Sequence, residues 1–267
     1  MLPSFSVFGV TIPMYGLLIS VGIILGFLVA VYKPVPSGLH RQDIFFSGLF
    51  AVIGLALGAK LLYIITILPQ VIARHADTPI TSAEVLDLLQ HGFVFYGGLI
   101  GAAAGIWIYG KVFRIRFWPL MDSLIPSVPL IHAIGRVGCF CAGCCYGVPS
   151  ITCGMVFRAD SLSPQGVALF PVQLMESGLN LVLFAALFIY SRKFRTDRKI
   201  TGLYVTGYAL IRFATEFFRG DAGRGVLLGI GVSQWISIAL LPLGLYWLLK
   251  KTKAPAKTQD NPSDNQQ

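Results

Sequence analysis

The chain has 267 residues, of which 55% are hydrophobic and only 12% are charged, and Lys and Arg outnumber Asp and Glu by 21 to 12. A soluble domain carries about 25% charged residues, so this composition excludes an ordinary soluble protein and is typical of a polytopic membrane protein. The basic residues form no aromatic-interleaved surface, and we therefore expect no nucleic-acid partner.

Seven apolar segments are each long enough to cross a bilayer, which takes about 20 residues. They cover residues 12–32, 43–68, 93–113, 119–141, 171–190, 200–218 and 226–249. The first eleven residues are uncharged and no signal-peptidase-like site follows the first run, so we expect that run to remain as a span. The sequence predicts an all-α membrane bundle of seven transmembrane helices.

Two of these segments have unusual interiors. The fourth is interrupted by Pro119, Pro126 and Pro129, and a broken helix at membrane depth is tolerated only where it lines protein or a water-filled cavity. The third carries glycines at 97, 101 and 105, a spacing that lets two helices approach closely. Between the second and third segments, residues 85–90 have the pattern of a short interfacial helix.

The positions of Lys and Arg predict the orientation. Alternate connections between the segments carry 14 of these residues against 4. By the positive-inside rule the N-terminus lies outside and the C-terminus lies in the cytoplasm. We expect residues 1–250 to form a single transmembrane catalytic domain, and residues 251–267, which are polar, to form a disordered cytoplasmic tail.

The unusual polar side chains in and at the ends of the predicted spans fall near one level, that of the outer leaflet. They are Tyr15, Tyr96, Arg136, Gln173, Glu176, Arg212, Glu216 and Arg219. Lys60 also lies past the middle of its span, and we assign it no role. Arg212, Glu216 and Arg219 share one helix face through their spacing of four and three residues. A charge at membrane depth costs about 2.5–3.5 kcal/mol on insertion scales and usually faces a cavity or a partner. The arginines exceed the glutamates, and guanidinium groups suit the phosphate of an anionic lipid headgroup.

Other interpretations apply to single members of this set. Arg212 and Glu216 alone would suit a structural ion pair, Tyr15 and Tyr96 alone would suit interfacial aromatic residues, and Glu176 would suit a helix N-terminus.

Five cysteines lie close together in the sequence, at positions 139, 141, 144, 145 and 153. Their number is odd, and the C-x-C-x2-C-C spacing matches no standard zinc pattern. A metal or redox site and a disulfide with Cys153 are both possible interpretations, but small, close-packing core residues are favoured. We therefore predict no metal site.

Several motifs resemble one known family. Residues 135–140 read GRVGCF and continue to Gly143 and Gly147, similar to the G-R-x-G-N-F-x-x-G-x-x-x-G pattern of the prolipoprotein diacylglyceryl transferases. Supporting segments are YGL at 15–17, YGGLIG at 96–101, PVQLME at 171–176, RFATEFFR at 212–219, and Ser233 and Gln234 with Ser237. The chain departs from the family pattern at four positions, having Tyr96 for His, Cys139 for Asn, Cys144 for an acidic residue and Met175 for Tyr.

The resemblance implies an enzyme of the bacterial plasma (inner) membrane. Such an enzyme transfers the diacylglyceryl group of phosphatidylglycerol to the lipobox cysteine in the signal peptide of a preprolipoprotein and releases glycerol phosphate. Its partners are that lipid, those signal peptides and the surrounding membrane lipids, and it needs no cofactor. The catalytic residues implied are Arg136, Arg212, Tyr96 and Tyr15. The substrate-binding residues implied, besides the two arginines, are Glu216, Arg219, Gly97, Gly98, Gly147, Gln173 and Glu176.

Two functions of other classes remain open at this point. A diverged, non-catalytic relative that binds anionic lipid is favoured by the changes at positions 96, 139 and 144. A transporter of an anionic solute would use the same arginines, but the polar residues concentrate at one leaflet and no internal repeat is evident.

Overall fold

The computed structural model describes residues 3–7, 9–36, 38–75, 81–90, 92–193, 198–221 and 226–250. The helices in these residues are α1 (Met14–Tyr32), α2 (Arg41–Arg74), α3 (Ser82–Gln90), α4 (Phe95–Val112), α5 (Phe117–Leu124), α6 (Val128–Ala142), α7 (Val172–Lys193), α8 (Lys199–Glu216) and α9 (Val232–Leu249). The described residues also form three short antiparallel pairs. One precedes α1, namely β1 (Ser4–Val7) with β2 (Val10–Pro13). The other two lie between helices, namely β3 (Met155–Val156) with β4 (Ala168–Leu169), and β5 (Val226–Leu227) with β6 (Ile230–Gly231).

The all-α prediction is confirmed, and five helical segments are long and apolar enough to cross a membrane. They are Met14–Tyr32, Arg41–Arg74, Phe117–Ala142, Val172–Arg192 and Val232–Leu249. The third and sixth predicted spans correspond to α4 and α8, which have 18 residues each. Within α8 lie Lys199, Arg212 and Glu216, which lower its apolar character. The seven-span count and the orientation of the termini stay predictions, and the predicted tail 251–267 lies outside the described residues.

Helix boundaries follow local signals. The backbone N–H of His40 donates a hydrogen bond of 2.8 Å to Asp43 Oδ2, which fixes the start of α2. This helix continues through Pro69 to Arg74, beyond its predicted end at residue 68. Helix α3 contains the short helix predicted at residues 85–90.

The interrupted fourth segment lies inside the protein, as its prolines predicted. It runs as α5, a 3-10 turn over Ile125–Ser127, and α6. Pro126 lies at the start of the 3-10 turn and Pro129 lies in the first turn of α6. A proline's missing N–H leaves no hydrogen bond unmade at such positions. The turn is buried, and Ile125 packs with Leu183 of α7 and Ile200 of α8 in one apolar cluster.

A buried polar contact holds the end of the bundle where α1 ends and α8 begins. Oδ1 of Asp122 accepts hydrogen bonds from the backbone N–H and the hydroxyl of Thr201, at 2.9 and 2.5 Å. The ammonium of Lys33 donates to the backbone carbonyl of Asp122 at 3.4 Å and is only 6% exposed. Burial lowers the pKa of Lys33 to about 8, although the nearby Asp122 carboxylate opposes this shift.

Helices α2 and α4 meet through glycines on both sides, as the spacing at 97, 101 and 105 predicted. A Cβ atom at Gly97 would overlap the carbonyl of Gly58, and one at Gly101 would overlap the carbonyl of Gly54. Gly105 stands in the same relation to the carbonyl of Phe50. We call Gly54, Gly58, Gly97, Gly101 and Gly105 the glycine seam. It is a backbone-to-backbone contact that any side chain would separate.

Candidate active site

Glu176 is the carboxylate around which the candidate site is built. It lies near the start of α7 with no exposed surface. Its Oε1 is 2.8 Å from Nη2 of Arg136 and 3.5 Å from Nε2 of His132. Both of these residues project from α6, where a spacing of four places them on one face. Nη1 of Arg219 lies 3.7 Å from Oε2 of the same carboxylate. One buried glutamate of α7 thus gathers two arginines and a histidine from α6 and from the segment after α8.

Arg219 is held from its other side by Asp221. The Nε and Nη2 atoms of the guanidinium donate to the two carboxylate oxygens at 3.2 Å each, a bidentate pair. Burial raises the pKa of Asp221, and the guanidinium of Arg219 opposes this rise. The Arg219 side chain is only 2% exposed, so both of its ion pairs lie inside the protein.

The backbone of the loop after α6 pairs with the segment that carries Arg219. Gly147 forms an antiparallel bridge with Arg219, and its N–H donates to the carbonyl of Phe170 at 3.1 Å. A Cβ atom at Gly147 would overlap that carbonyl and lie 2.8 Å from the carbonyl of Phe218. Glycine is therefore required at 147 for the loop to reach both neighbours.

Arg212 and Glu216 form a second ion pair on α8. Nη2 of Arg212 is 2.8 Å from Oε2 of Glu216, and the two side chains are 12% and 11% exposed. The ring of Tyr208, one turn before Arg212, lies 5.2 Å from the ring of His132. This contact brings the α8 pair next to the Glu176 cluster.

The arginines keep hydrogen-bond donors for a further ligand. Within the part of the chain that the structure describes, Nε of Arg136, Nη1 of Arg212 and Nη1 of Arg219 are buried without a hydrogen-bond acceptor. An unmade hydrogen bond to a buried charged group is costly, so such donors are expected to meet an acceptor in the working protein. Three guanidinium donors in one region fit an anionic oxyacid such as a phosphodiester.

A family model described as prolipoprotein diacylglyceryl transferase matches residues 3–250. The chain belongs to this family. It is 35% identical over 243 residues to the phosphatidylglycerol–prolipoprotein diacylglyceryl transferase of Clostridium tetani, covering 91% of this chain and 94% of the relative. The second such transferase of Clostridium perfringens is 34% identical, with 94% and 96% covered. The transferase of Nitrosomonas europaea is 32% identical, with 91% and 88% covered.

The structure brings together a part of the site predicted from the family motifs. Arg136, Glu176, Arg219 and Gly147 meet as described, and Arg212 and Glu216 lie beside them. Gln173 is fully buried, and its amide nitrogen donates to the carbonyl of Cys144 at 2.8 Å. This hydrogen bond ties the start of α7 to the loop after α6.

The other predicted residues lie on neighbouring helices. Gly97 and Gly98 face α2 at or beside the glycine seam, and this packing accounts for them. Tyr15, 43% exposed, lies against α6, where a Cβ atom at Gly138 would be 3.3 Å from its Cα. Tyr96 is the second residue of α4 and is 46% exposed. Roles for these four in substrate binding or catalysis stay predictions.

Two members of the site were not predicted from the sequence. His132 lies one helical turn before Arg136, and that spacing alone could have placed it on the same face. Asp221 follows Arg219 by two residues and pairs with it, which changes the charge balance. The expected excess of arginine over acidic groups is wrong, because three arginines here face three carboxylates. The capacity for an anion comes from Nε of Arg136 and Nη1 of Arg212, which have no hydrogen-bond acceptor, and from Nη1 of Arg219, which reaches Glu176 only as an ion pair at 3.7 Å.

Proposed function

We propose that this chain is a phosphatidylglycerol–prolipoprotein diacylglyceryl transferase of the bacterial plasma membrane. Family membership supports this activity, and so do the names of relatives that are similar over nearly the whole chain. The observation that carries it is the set of buried guanidinium donors on Arg136, Arg212 and Arg219. These donors suit the headgroup phosphate of an anionic lipid.

In the proposed reaction the thiolate of the lipobox cysteine attacks the glyceryl carbon that bears the phosphate ester. A carbon–sulfur bond forms, the carbon–oxygen bond breaks, and its electron pair leaves with glycerol phosphate. Negative charge grows on the departing phosphate. Arg136 and Arg212 stabilise that charge by donating hydrogen bonds in a partly desolvated site, where such contacts stabilise a transition state most strongly. Glu176 and Glu216 hold the two guanidiniums in place.

The thiol must lose a proton before it attacks. His132 supplies an imidazole beside Glu176, and histidine is the side chain most often used as a general base. We propose that His132 accepts the thiol proton and that Glu176 orients the imidazole ring. Tyr15 and Tyr96 are proposed to donate hydrogen bonds to the headgroup. Arg219, which Glu176 and Asp221 hold inside the protein, would present its Nη1 to the phosphate, and the loop through Gly147 would support it.

The proposed topology has seven spans, with α4 and α8 crossing the membrane and the N-terminus outside. It places the arginines near the outer leaflet, where signal peptides with a lipobox and phosphatidylglycerol both reach them. Residues 1–250 would form the catalytic domain, and residues 251–267 a cytoplasmic tail. Reporter fusions after Lys33 and after Leu249 should read as cytoplasmic, and an external reading at either point would contradict the orientation.

The activity is tested with purified full-length protein in detergent, phosphatidylglycerol and a lipobox peptide, by mass spectrometry of the peptide. We expect the peptide to gain one diacylglyceryl group, with Arg136→Ala and Arg212→Ala each losing most of this product. Arg158→Ala is the matched control, because that arginine pairs with Asp160 at the surface and is 57% exposed.

A folded protein that binds phosphatidylglycerol but yields no product would refute the transferase. It would support the diverged lipid-binding relative, for which the changes at Tyr96, Cys139 and Cys144 speak. Movement of an anionic solute across vesicles without peptide lipidation would support a transporter instead.

A further inference from the structure

Three of the five cysteines converge at the end of α6. The Sγ atoms of Cys139, Cys144 and Cys145 all lie within 4.8 Å of one another. Cys139 is buried, and the other two are partly buried. Cys141 and Cys153 do not belong to this group, and Cys153 is exposed. We call Cys139, Cys144 and Cys145 the thiol cluster.

The geometry of the helix end explains why the first two thiols meet. The N–H of Cys144 donates to the carbonyl of Cys139 at 3.2 Å, and the N–H of Gly143 donates to the carbonyl of Phe140 at 3.2 Å. Gly143 has φ of 71°, so this is a Schellman motif. Such a motif places the side chain two positions after the helix against the third residue from its end. Here that contact joins two cysteines.

The third thiol is turned back onto this pair by its own backbone. Cys145 has φ of 58°, a left-handed conformation that is uncommon for a residue with a Cβ atom. The surrounding structure holds this conformation firmly. Gln173 binds the carbonyl of Cys144, and Gly147 is bridged to Arg219. The thiol cluster is therefore arranged in advance of any ligand.

We propose that the thiol cluster is a three-thiolate site for a thiophilic divalent cation such as Zn²⁺. Three sulfurs bound to zinc at about 2.3 Å would lie about 3.8–4.0 Å apart. The observed spread needs a contraction of less than about 1 Å to reach that geometry. Thiolates are the ligands that soft cations prefer, and a water molecule would complete the tetrahedron.

The nearby charges favour a cation bound by thiolates. Three thiolates and one divalent cation carry a net charge of −1. Arg136 lies three residues before Cys139 on α6, and Arg219 is bridged to Gly147, two residues after Cys145. Positive groups beside the thiol cluster favour the thiolate form of the cysteines and offset the remaining negative charge.

A disulfide accounts for the arrangement less well. Adjacent residues such as Cys144 and Cys145 have Cα atoms about 3.8 Å apart, below the range of ordinary disulfides. A disulfide between Cys139 and either of the other two cysteines would involve two sulfurs and would not explain why the third lies beside them. A metal ion uses all three. The sequence spacing did not indicate this site because it does not show that Cys145 turns back.

The site is tested by zinc titration of the full-length protein in detergent, after reduction and removal of the reductant, against a chromophoric chelator. We expect one tightly bound Zn²⁺ per chain and a higher melting temperature in its presence. Cys139→Ser, Cys144→Ser and Cys145→Ser should each weaken binding roughly tenfold or more, because even residues that only support a ligand cost that much. Cys141→Ser and Cys153→Ser are matched controls and should bind as the wild type does.

Three results would overturn the site. One is no zinc binding beyond that of the protein with all three cysteines changed to serine. Another is an equal loss on changing Cys141. The third is a disulfide within the thiol cluster in protein isolated without reductant. If a serine variant does not fold, cobalt added to the wild type provides the test, since three thiolates give strong sulfur-to-cobalt charge-transfer bands. The outcome does not depend on whether the protein transfers lipid.

Discussion

Replacing Glu176 by glutamine removes the one negative charge shared by Arg136, Arg219 and His132 while keeping the volume of the side chain. Glu176 has no exposed surface, and the Arg136 and Arg219 side chains are 12% and 2% exposed. Arginine stays protonated in proteins, so these guanidiniums cannot respond by losing a proton. Removing one partner from a buried ion pair costs about 3–5 kcal/mol. The amide oxygen of glutamine still accepts one hydrogen bond, which places the expected loss near the lower end.

A loss of about 3 kcal/mol lowers the folding equilibrium constant by about two powers of ten. Equilibrium unfolding in mixed detergent micelles would measure it. Asp160→Asn is the control, because it breaks an exposed pair with Arg158 that should contribute less than about 1 kcal/mol. We also expect Glu176→Gln and Arg136→Met to be non-additive in a double-mutant cycle. A loss equal to that of Asp160→Asn, or fully additive losses, would refute the view that this carboxylate organises the site.

Three further predictions address the proton acceptor, a buried lysine and the glycine seam. His132→Gln should lower the lipidation rate by a factor of about 10²–10⁴, and the rate should no longer fall at the acidic end of its pH profile. A loss under threefold with an unchanged pH profile would exclude His132 as the base. The pKa of Lys33 is about 8 in the folded state and 10.5 ordinarily, so the unfolded state binds more protons between these values. Stability should therefore rise by up to about 3 kcal/mol as pH increases from 8 to 10.5, and Lys33→Met should abolish this slope in unfolding titrations; an equal slope in the variant would contradict the assignment. Gly101→Ala should destabilise the protein by about 1–3 kcal/mol, because its Cβ atom would overlap the carbonyl of Gly54. Gly178 has open space around it, so Gly178→Ala should raise the free energy of unfolding by about 0.5–1 kcal/mol. Equal effects of the two changes in thermal unfolding would contradict the close contact.

Much of the helical framework could be predicted because apolar length and proline position are local properties of the sequence. The interrupted fourth segment is an example, since Pro126 and Pro129 predicted a break inside protein and the 3-10 turn lies there. The spacing of Gly97 and Gly101 likewise predicted a close helix contact. Such signals depend on neighbours within a few residues, and they require no knowledge of the tertiary structure.

The partners within the site could not be predicted in the same way. The sequence places Arg212 next to Glu216, and the structure confirms that pair. It gives no sign that Glu176 of α7 would be shared by Arg136 of α6 and by Arg219 beyond α8. These contacts depend on how three helices pack. A motif identifies such residues as a set without saying which atoms meet.

The glycine seam also determines how much change the protein tolerates along one line. At most lipid-facing positions one apolar side chain can replace another, because the bilayer accommodates the difference. At Gly54, Gly58, Gly97, Gly101 and Gly105 the neighbouring atoms belong to the backbone of the opposite helix and cannot move aside. A saturation library should therefore show a stripe of intolerance on α2 and a facing one on α4. Drift of the sequence over time would be slowest along these two stripes, even where they lie far from any chemistry.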